Sequence, residues 1–81
     1  MHVSVTFLGL QRKLARTNQI QVPLVKKTRV VDVLAYIKRS YPELPFPEEA
    51  LLVVVNNKVA TMEKILKHHD NIIFLPFLGG G

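Results

Sequence analysis

The residues with the most evident chemical potential stand at the end of the sequence. Gly79, Gly80 and Gly81 are three of the four glycines, and they follow the apolar run FLPFL at 74–78. Glycine has no Cβ, so such a segment is narrow and its backbone can enter a partner's active site. The α-carboxylate of Gly81 is the group on this segment with chemistry to offer. The alternative is an ordinary frayed terminus, because chain ends are commonly disordered.

The remaining candidates for chemistry are weaker. His68, His69 and Asp70, alone or with His2, are residue types that could ligate a metal. Adjacent histidines in a turn are expected to point apart, so we predict a plain turn and no metal site. The sequence has no cysteine, which excludes disulfides, thiolate metal sites and a persulfide on the chain itself. No Ser/His/Asp set, phosphate loop or carboxylate pair is evident, and we expect no enzymatic activity and no bound cofactor.

The charge balance is basic, with a formal net charge of +5. Basic residues cluster at 12–16 and again at 26–29, which could attract an acidic partner or tRNA. Aromatic residues are not interleaved with them, so a solvated basic surface is favoured and nucleic-acid binding is not expected. The first residues do not resemble a signal peptide, and no apolar run approaches the ~20 residues of a membrane span. We therefore expect a soluble, cytoplasmic protein without membrane contact.

The periodicity predicts the elements that position the glycine segment. Apolar residues alternate at 2–8 and 20–24 and predict two strands, of which the second contains Pro23 and belongs at a sheet edge. Spacing of i, i+3, i+4 and i+7 predicts a helix over 28–41, started by Thr28 or Arg29. Further along, the sequence predicts a central strand at 51–55, an Asn56-Asn57 turn, a strand at 58–60, a helical turn at 62–66, a polar turn at 68–71 and a last strand at 72–75.

These elements predict one α+β domain over residues 1–81, in which one main helix packs across a mixed sheet. Residues 9–18 are assigned to a basic connection in which Leu10 and Leu14 are spaced for one helical turn. Residues 76–81 are expected to form a flexible tail that extends at most about 20 Å.

Strand alternation also predicts an exposed apolar surface. If the odd residues of the first strand and Ile72 and Phe74 face the helix, then Leu8, Ile73, Leu75 and Phe77 face away, and Val59 joins them. Each large apolar side chain left in water forgoes roughly 1.5–3 kcal/mol. A patch of them at the root of a tail indicates a docking surface. The alternative is a set of ordinary exposed hydrophobic residues.

Four stretches resemble the sulfur-carrier branch of the ubiquitin-like β-grasp fold, the MoaD/ThiS family, and MoaD more than ThiS. They are VTFL with LQRKLA at 5–15, RVVDVL with YP at 29–42, VVVN at 53–56, and LKHHDNIIFLPFLGGG at 66–81. The last is similar to the family's "LKDGDEVAFLPPVSGG". The sequence departs from the family pattern at His69, which replaces a turn glycine, at Phe77, which replaces a second proline, and at Arg29 and Gly79.

The resemblance implies that a ubiquitin-activating-type adenylating enzyme, of the MoeB or ThiF type, adenylates Gly81 with ATP and magnesium. A sulfur donor then converts the acyl-adenylate to a thiocarboxylate. It further implies that Gly79 and Gly80 thread the active site, and that Leu8, Val59 and Leu75 pack on a partner subunit. For a MoaD-like chain, that partner is the large subunit of molybdopterin synthase, of the MoaE type.

Three functions remain open at this point. The first is a sulfur carrier for molybdopterin, the cofactor of molybdenum or tungsten. The second is a thiocarboxylate carrier for thiamine thiazole or tRNA thiolation. The third is a ubiquitin-like modifier that forms isopeptides through Gly81. The charging chemistry is shared, so the sequence does not separate them.

Overall fold

The computed structural model describes residues 1–46 and 51–76 of the chain. Within these ranges there are five strands and two helices, in the order βαβαβββ. They are β1 (His2–Thr6), α1 (Leu10–Ala15), β2 (Gln19–Pro23), α2 (Val30–Ser40), β3 (Leu51–Val55), β4 (Lys58–Ala60) and β5 (Asn71–Pro76).

The strands form one mixed sheet in the order β2-β1-β5-β3-β4. The pair β1–β5 is parallel and the other three pairs are antiparallel. Strand β2 lies at an edge, as Pro23 predicted, because a proline cannot donate to a ladder. Strand β3 is interior and has a neighbour on each side, but the central position belongs to β5. The strand that leads to the glycine segment (residues 79–81) therefore has two strands on each side of it.

Helix α2 is the predicted main helix. Val30, Val33, Leu34 and Ile37 are buried at the spacing i, i+3, i+4 and i+7. The N-cap is Arg29, whose backbone N–H donates to the Asp32 carboxylate at 2.9 Å. Thr28, the alternative start, instead uses its hydroxyl to bond the Val25 carbonyl at 2.8 Å.

The core fills the space between α2 and one face of the sheet. It contains the inward residues predicted from alternation, namely Val3, Val5, Phe7, Val53, Val55, Ile72 and Phe74. The other face of the sheet, which we call the open face, carries the alternate residues of the same strands. Among the described residues, no helix is long and apolar enough to cross a membrane.

One connection goes further than the prediction and one differs from it. The helical turn indicated by the spacing of Leu10 and Leu14 is helix α1, which follows Gly9 at φ 54° and ends at Arg16 in the left-handed region. The segment 62–66 is not helical: it contains one turn, closed by Lys64 N–H to Thr61 carbonyl at 3.2 Å, and then an isolated bridge between Ile65 and Arg29.

Two predicted turns are confirmed. Asn56 and Asn57 have φ values of 50° and 69° and join β3 to β4. Positive φ at both central residues defines the type I′ hairpin turn. His69 has a φ of 75° in the polar turn before β5.

Candidate functional site

The base of the glycine segment is β5. Its alternation is as predicted, because Ile72 and Phe74 are buried in the core while Ile73 and Leu75 lie on the open face and are half-buried. Pro76, which we had assigned to the tail, is exposed and is the last residue of β5. The predicted partner residue Phe77 and the predicted charging segment Gly79, Gly80 and Gly81 lie outside the described residues.

The open face brings apolar residues of three strands into register. Ile73 pairs with Val54, and Val54 pairs with Val59, so these three form one row across β5, β3 and β4. Leu75 pairs with Leu52 in the next row on the same face. Directly opposed residues of neighbouring strands have Cβ atoms about 5 Å apart, so the rows are continuous. We call these five residues the apolar patch.

Val59 is the most exposed member of the apolar patch, with 70% of its surface accessible. Because β4 is at the sheet edge, no further described strand pairs with it on its outer side. The structure therefore brings together three of the predicted partner-binding residues, Val59, Ile73 and Leu75. Their role in binding stays a prediction.

Leu52 and Val54 belong to the apolar patch but were not predicted as partner-binding residues. The sequence LLVVV of β3 is uniformly apolar, which is typical of a strand buried on both faces. In fact Val53 and Val55 are buried while Leu52 and Val54 are half-buried. Alternation could have found them: if Val53 and Val55 face the core, then Leu52 and Val54 must face the other side of the sheet.

Leu8 lies apart from these paired rows. It is 44% exposed and stands after the end of β1, whose pairing with β5 ends at Thr6 and Ile73. Its carbonyl accepts the Gln11 backbone N–H at 3.1 Å, which starts helix α1. Leu8 is thus outward-facing and accessible, as predicted, without being part of the apolar patch.

A polar network borders the apolar patch on the β1 side. The Asn71 side-chain amide donates to the Ser4 and Thr6 hydroxyls, at 2.9 Å in both cases. The Gln19 amide reaches the Thr6 hydroxyl at 3.4 Å. The apolar surface is thereby confined to β5, β3 and β4, the half of the sheet next to the exit of the glycine segment.

The three histidines form a cluster, and our prediction that His68 and His69 point apart is wrong. Their rings stack with centroids 3.6 Å apart, and the His2 ring meets them edge-on at 5.0 and 5.4 Å. The His2 backbone completes the contact, because its N–H donates to the His68 Nδ1 and its carbonyl accepts the His69 N–H. Positive φ at His69 folds the second ring back over the first.

The three imidazole rings of this cluster are bases in contact with one another. The pKa of His2 is lowered from its usual 6.5 by partial burial and by the positive charge that His68, His69 and the N-terminal amine can carry. Among the described residues, no group of three or more His, Cys, Asp or Glu side chains could hold a metal ion.

The sequence model of the ThiS family matches residues 5–81. Because this match spans nearly the whole chain, the protein belongs to the ThiS family. A search of curated proteins found no match.

Solved structures are similar over the full chain. SAMP1 (small archaeal modifier protein 1) from Haloferax volcanii has a TM-score of 0.82 at 16% identity, with all of both chains covered. A putative molybdopterin converting factor, subunit 1, from Pyrococcus furiosus has a TM-score of 0.81 at 21% identity, covering 96% of this chain and 99% of that one. Urm1 from Trypanosoma brucei has a TM-score of 0.72 at 26% identity, covering 99% and 95%.

These findings confirm the predicted fold and family. The architecture is the ubiquitin-like β-grasp, with five strands and two helices among the described residues. The family is one of small ubiquitin-like sulfur carriers and modifiers.

Proposed function

We propose that this protein is a sulfur carrier whose Gly81 carboxylate is adenylated and converted to a thiocarboxylate. The observation that carries this proposal is the ThiS family match over residues 5–81, which includes the glycine segment. A further support is that β5, the central strand, ends at Pro76 beside the apolar patch.

The charging step follows from carboxylate chemistry. A free carboxylate does not react with sulfur nucleophiles, because its leaving group is poor. Attack of the Gly81 carboxylate on the α-phosphorus of ATP releases pyrophosphate and gives a mixed anhydride with AMP. A sulfide equivalent then adds to the activated carbonyl and expels AMP, which leaves the thiocarboxylate. The activating enzyme, of the MoeB or ThiF type, binds ATP and magnesium and supplies the catalytic groups. The carrier contributes Gly79 and Gly80, which have no side chains and can therefore pass through a narrow channel ahead of the reactive carboxylate.

We further propose that the apolar patch is the surface on which this enzyme and the sulfur-receiving partner dock. Predicted partner residues Val59, Ile73 and Leu75 lie in it, and Leu52 and Val54 join them by register. Leu8, and Phe77 outside the described residues, are proposed as further contacts. Contiguous apolar surface at the base of a reactive segment is favourable for docking because binding removes it from water.

The pathway we propose is molybdopterin synthesis, in which this chain is the small subunit of molybdopterin synthase and its partner the MoaE-type large subunit. The similarity to a putative molybdopterin converting factor, subunit 1, supports this choice. The similarities to SAMP1 and Urm1 keep a second candidate, a modifier that forms isopeptides through Gly81. Carriers for thiamine thiazole or tRNA thiolation share the same charging chemistry.

Binding to purified partners separates these pathways. The carrier is titrated against a molybdopterin synthase large subunit and against a thiazole synthase by calorimetry, with Val59→Asp as the matched control for docking. Saturable binding to the large subunit alone, lost in Val59→Asp, is the expected result. Binding to the thiazole synthase alone would overturn the molybdopterin assignment. A ladder of covalent conjugates on a denaturing gel, after incubation with ATP and cell extract, would favour the modifier.

A further inference from the structure

The Gln11 side chain ties helix α1 to the last part of β5. Gln11 is only 2% exposed, and its Nε2 donates to the Phe74 carbonyl at 2.7 Å across a sequence separation of 63 residues. Its Oε1 is buried and has no hydrogen-bond partner among the described residues. A buried glutamine with one satisfied and one orphaned end is unusual, because buried polar atoms are generally paired.

The strand register explains what this side chain replaces. Ser4 N–H donates to the Asp70 carbonyl, so the even-numbered residues of β5 direct their backbone groups toward β1. Continued parallel pairing would bond the Phe74 carbonyl to the N–H of Leu8, and the Leu8 carbonyl to an N–H at residue 76. Instead β1 ends, and the Leu8 carbonyl accepts the backbone N–H of Gln11. The Gln11 amide thus takes the place of the missing peptide group.

Pro76 explains the orphaned oxygen. In a regular parallel ladder, the N–H of residue 76 would donate to the acceptor opposite it, but proline has no N–H. The Gln11 side-chain amide therefore replaces the missing donor of β1, because its Nε2 bonds the Phe74 carbonyl. Its Oε1 replaces the missing acceptor of β1, but Pro76 offers no N–H to donate to it. On this side of β5, hydrogen bonding stops at Phe74, two residues before the strand ends.

From this geometry we propose that Gln11 is a positioning residue that sets where the glycine segment leaves the sheet. Phe74 is held twice: its ring packs edge-on against Phe46 in the core at 5.9 Å, and its carbonyl is bonded to Gln11. Pro76 then releases the chain from the β1 side. Gln11 and Pro76 together fix Phe74 as the last described residue of β5 that is hydrogen-bonded on the β1 side. This inference rests on the proposed function, because the exit point matters only if the segment is loaded by an enzyme.

The hydrogen-bond half of the inference is tested by Pro76→Ala, which leaves Gln11 untouched. Alanine restores an N–H at residue 76, directed at the orphaned Gln11 Oε1. We expect this amide to exchange with solvent at least about tenfold more slowly than an unprotected one. A scalar coupling across the hydrogen bond to the Gln11 side-chain carbonyl should also be visible by NMR. An unprotected amide at residue 76 would overturn the inference, whatever the protein does with sulfur.

The positioning half is tested by Gln11→Met, which keeps the length of the side chain and removes its hydrogen bond, with exposed Gln21→Met as the matched control. Loading is followed as the initial rate of thiocarboxylate formation, at a fixed concentration of activating enzyme and at carrier concentrations below and above saturation. We expect Gln11→Met to lower kcat by about tenfold, because a misplaced reactive group loses rate, while KM for the carrier changes by less than about twofold. The apolar patch is unchanged in this variant.

Three outcomes are distinguishable. A kcat equal to that of the wild type in a folded Gln11→Met protein would contradict the positioning role. A rise in KM at constant kcat would show that Gln11 serves docking instead and would equally overturn it. Failure of the wild-type protein to gain sulfur would reject the proposed function, while the exchange of the residue-76 amide would still decide the hydrogen-bond geometry.

Discussion

At the scale of single residues, the adjacent residues Phe74 and Leu75 of β5 lie on opposite faces of the sheet. Phe74 is 1% exposed and belongs to the core, whereas Leu75 lies half-buried on the open face. Stability is therefore expected to depend on the first and partner binding on the second. The distinction arises from strand alternation alone, since the two residues are adjacent and both are large and apolar.

Substitution of these two residues should separate binding from folding. Leu75→Asp removes one apolar anchor from the patch and adds a charge, so affinity for the large subunit should fall by at least about tenfold. Its melting temperature should change little, because Leu75 stands outside the core. Phe74→Ala should instead destabilise the fold by roughly 3–5 kcal/mol through the cavity it leaves. Calorimetric titration and thermal melts measure both. Equal losses of affinity and melting temperature in Leu75→Asp would show that its side chain supports the fold.

The sequence predicted the inward and outward residues of β5 but missed Gln11, Leu52 and Val54. Periodicity assigns a polar residue to solvent, and nothing local signals that a glutamine on a short helix meets a carbonyl 63 residues away. Leu52 and Val54 were missed because a uniformly apolar strand hides its two faces. In both cases the deciding information is the pairing of distant strands.

At the scale of elements, the sequence predicted each of the five described strands and the main helix, because alternation and the 3.6-residue period are strong there. Helix α1 was predicted only as one helical turn within a connection, because it has six residues and only two spaced leucines mark it. Both leucines, Leu10 and Leu14, are exposed, and the buried residue of the helix is the polar Gln11. The turn at 62–66 contains residues of high helix propensity, but its backbone instead pairs with the start of α2 at Arg29 and Ile65.

The β3–β4 hairpin should become more stable when Asn57 is replaced by glycine. Asn57 has a φ of 69°, and a left-handed conformation that strains a side chain does not strain glycine. The expected gain is about 0.5 kcal/mol, the small difference between relief of strain and greater entropy of the unfolded chain. Chemical denaturation measures it.

Asn56→Gly is the matched control for this hairpin. It has the same backbone requirement, but its side chain bonds the Asp70 carboxylate at 2.8 Å and the Asn71 N–H at 2.9 Å. Loss of these bonds should cost roughly 1–3 kcal/mol because Asp70 is buried. Stabilisation by Asn56→Gly would contradict this account of the turn.

The histidine cluster joins the start of β1 to the turn before β5 and should make stability depend on pH. The pKa of His2 is lowered in the folded state, so the unfolded chain binds more protons just below pH 6.5. The contribution of His2 is therefore complete above pH 6.5 and is lost as the pH falls through the lowered pKa. Melting temperatures between pH 7.5 and 5 should decline more steeply for the wild type than for His2→Gln. Equal declines in melting temperature for the wild type and His2→Gln would show that the pKa of His2 is not lowered in the folded state.

At the scale of the whole molecule, the described core lies between α2 and one sheet face, and the opposite face carries the apolar patch beside the exit of the glycine segment. Periodicity and the order of the elements predicted the two layers, and strand alternation predicted the outward apolar residues. The family resemblance implied the same fold. Position of the exit could not be predicted, since it depends on where β1 ends and on what replaces its next peptide group. The arrangement separates folding from chemistry, so changes at Gly79–Gly81 should leave the melting temperature unchanged.

Within the glycine segment the three positions should respond differently to substitution. Gly80→Leu should nearly abolish sulfur loading, because a branched side chain would have to enter a channel suited to bare backbone. Gly79→Ser should be nearly silent, since the family pattern has a small polar residue there. Rates of thiocarboxylate formation measure both. Equal loading of the two variants would contradict a narrow channel.

The intact mass of the loaded protein tests the central claim most directly. The carrier is incubated with ATP, magnesium, an activating enzyme and a sulfur donor, beside a variant with one residue appended after Gly81 and a variant with an N-terminal tag. We predict that the unextended and N-terminally tagged proteins exchange one oxygen for sulfur, and that the C-terminally extended protein does not. Gain of sulfur by the extended protein, without prior trimming to Gly81, would contradict the proposal that the Gly81 carboxylate carries the sulfur.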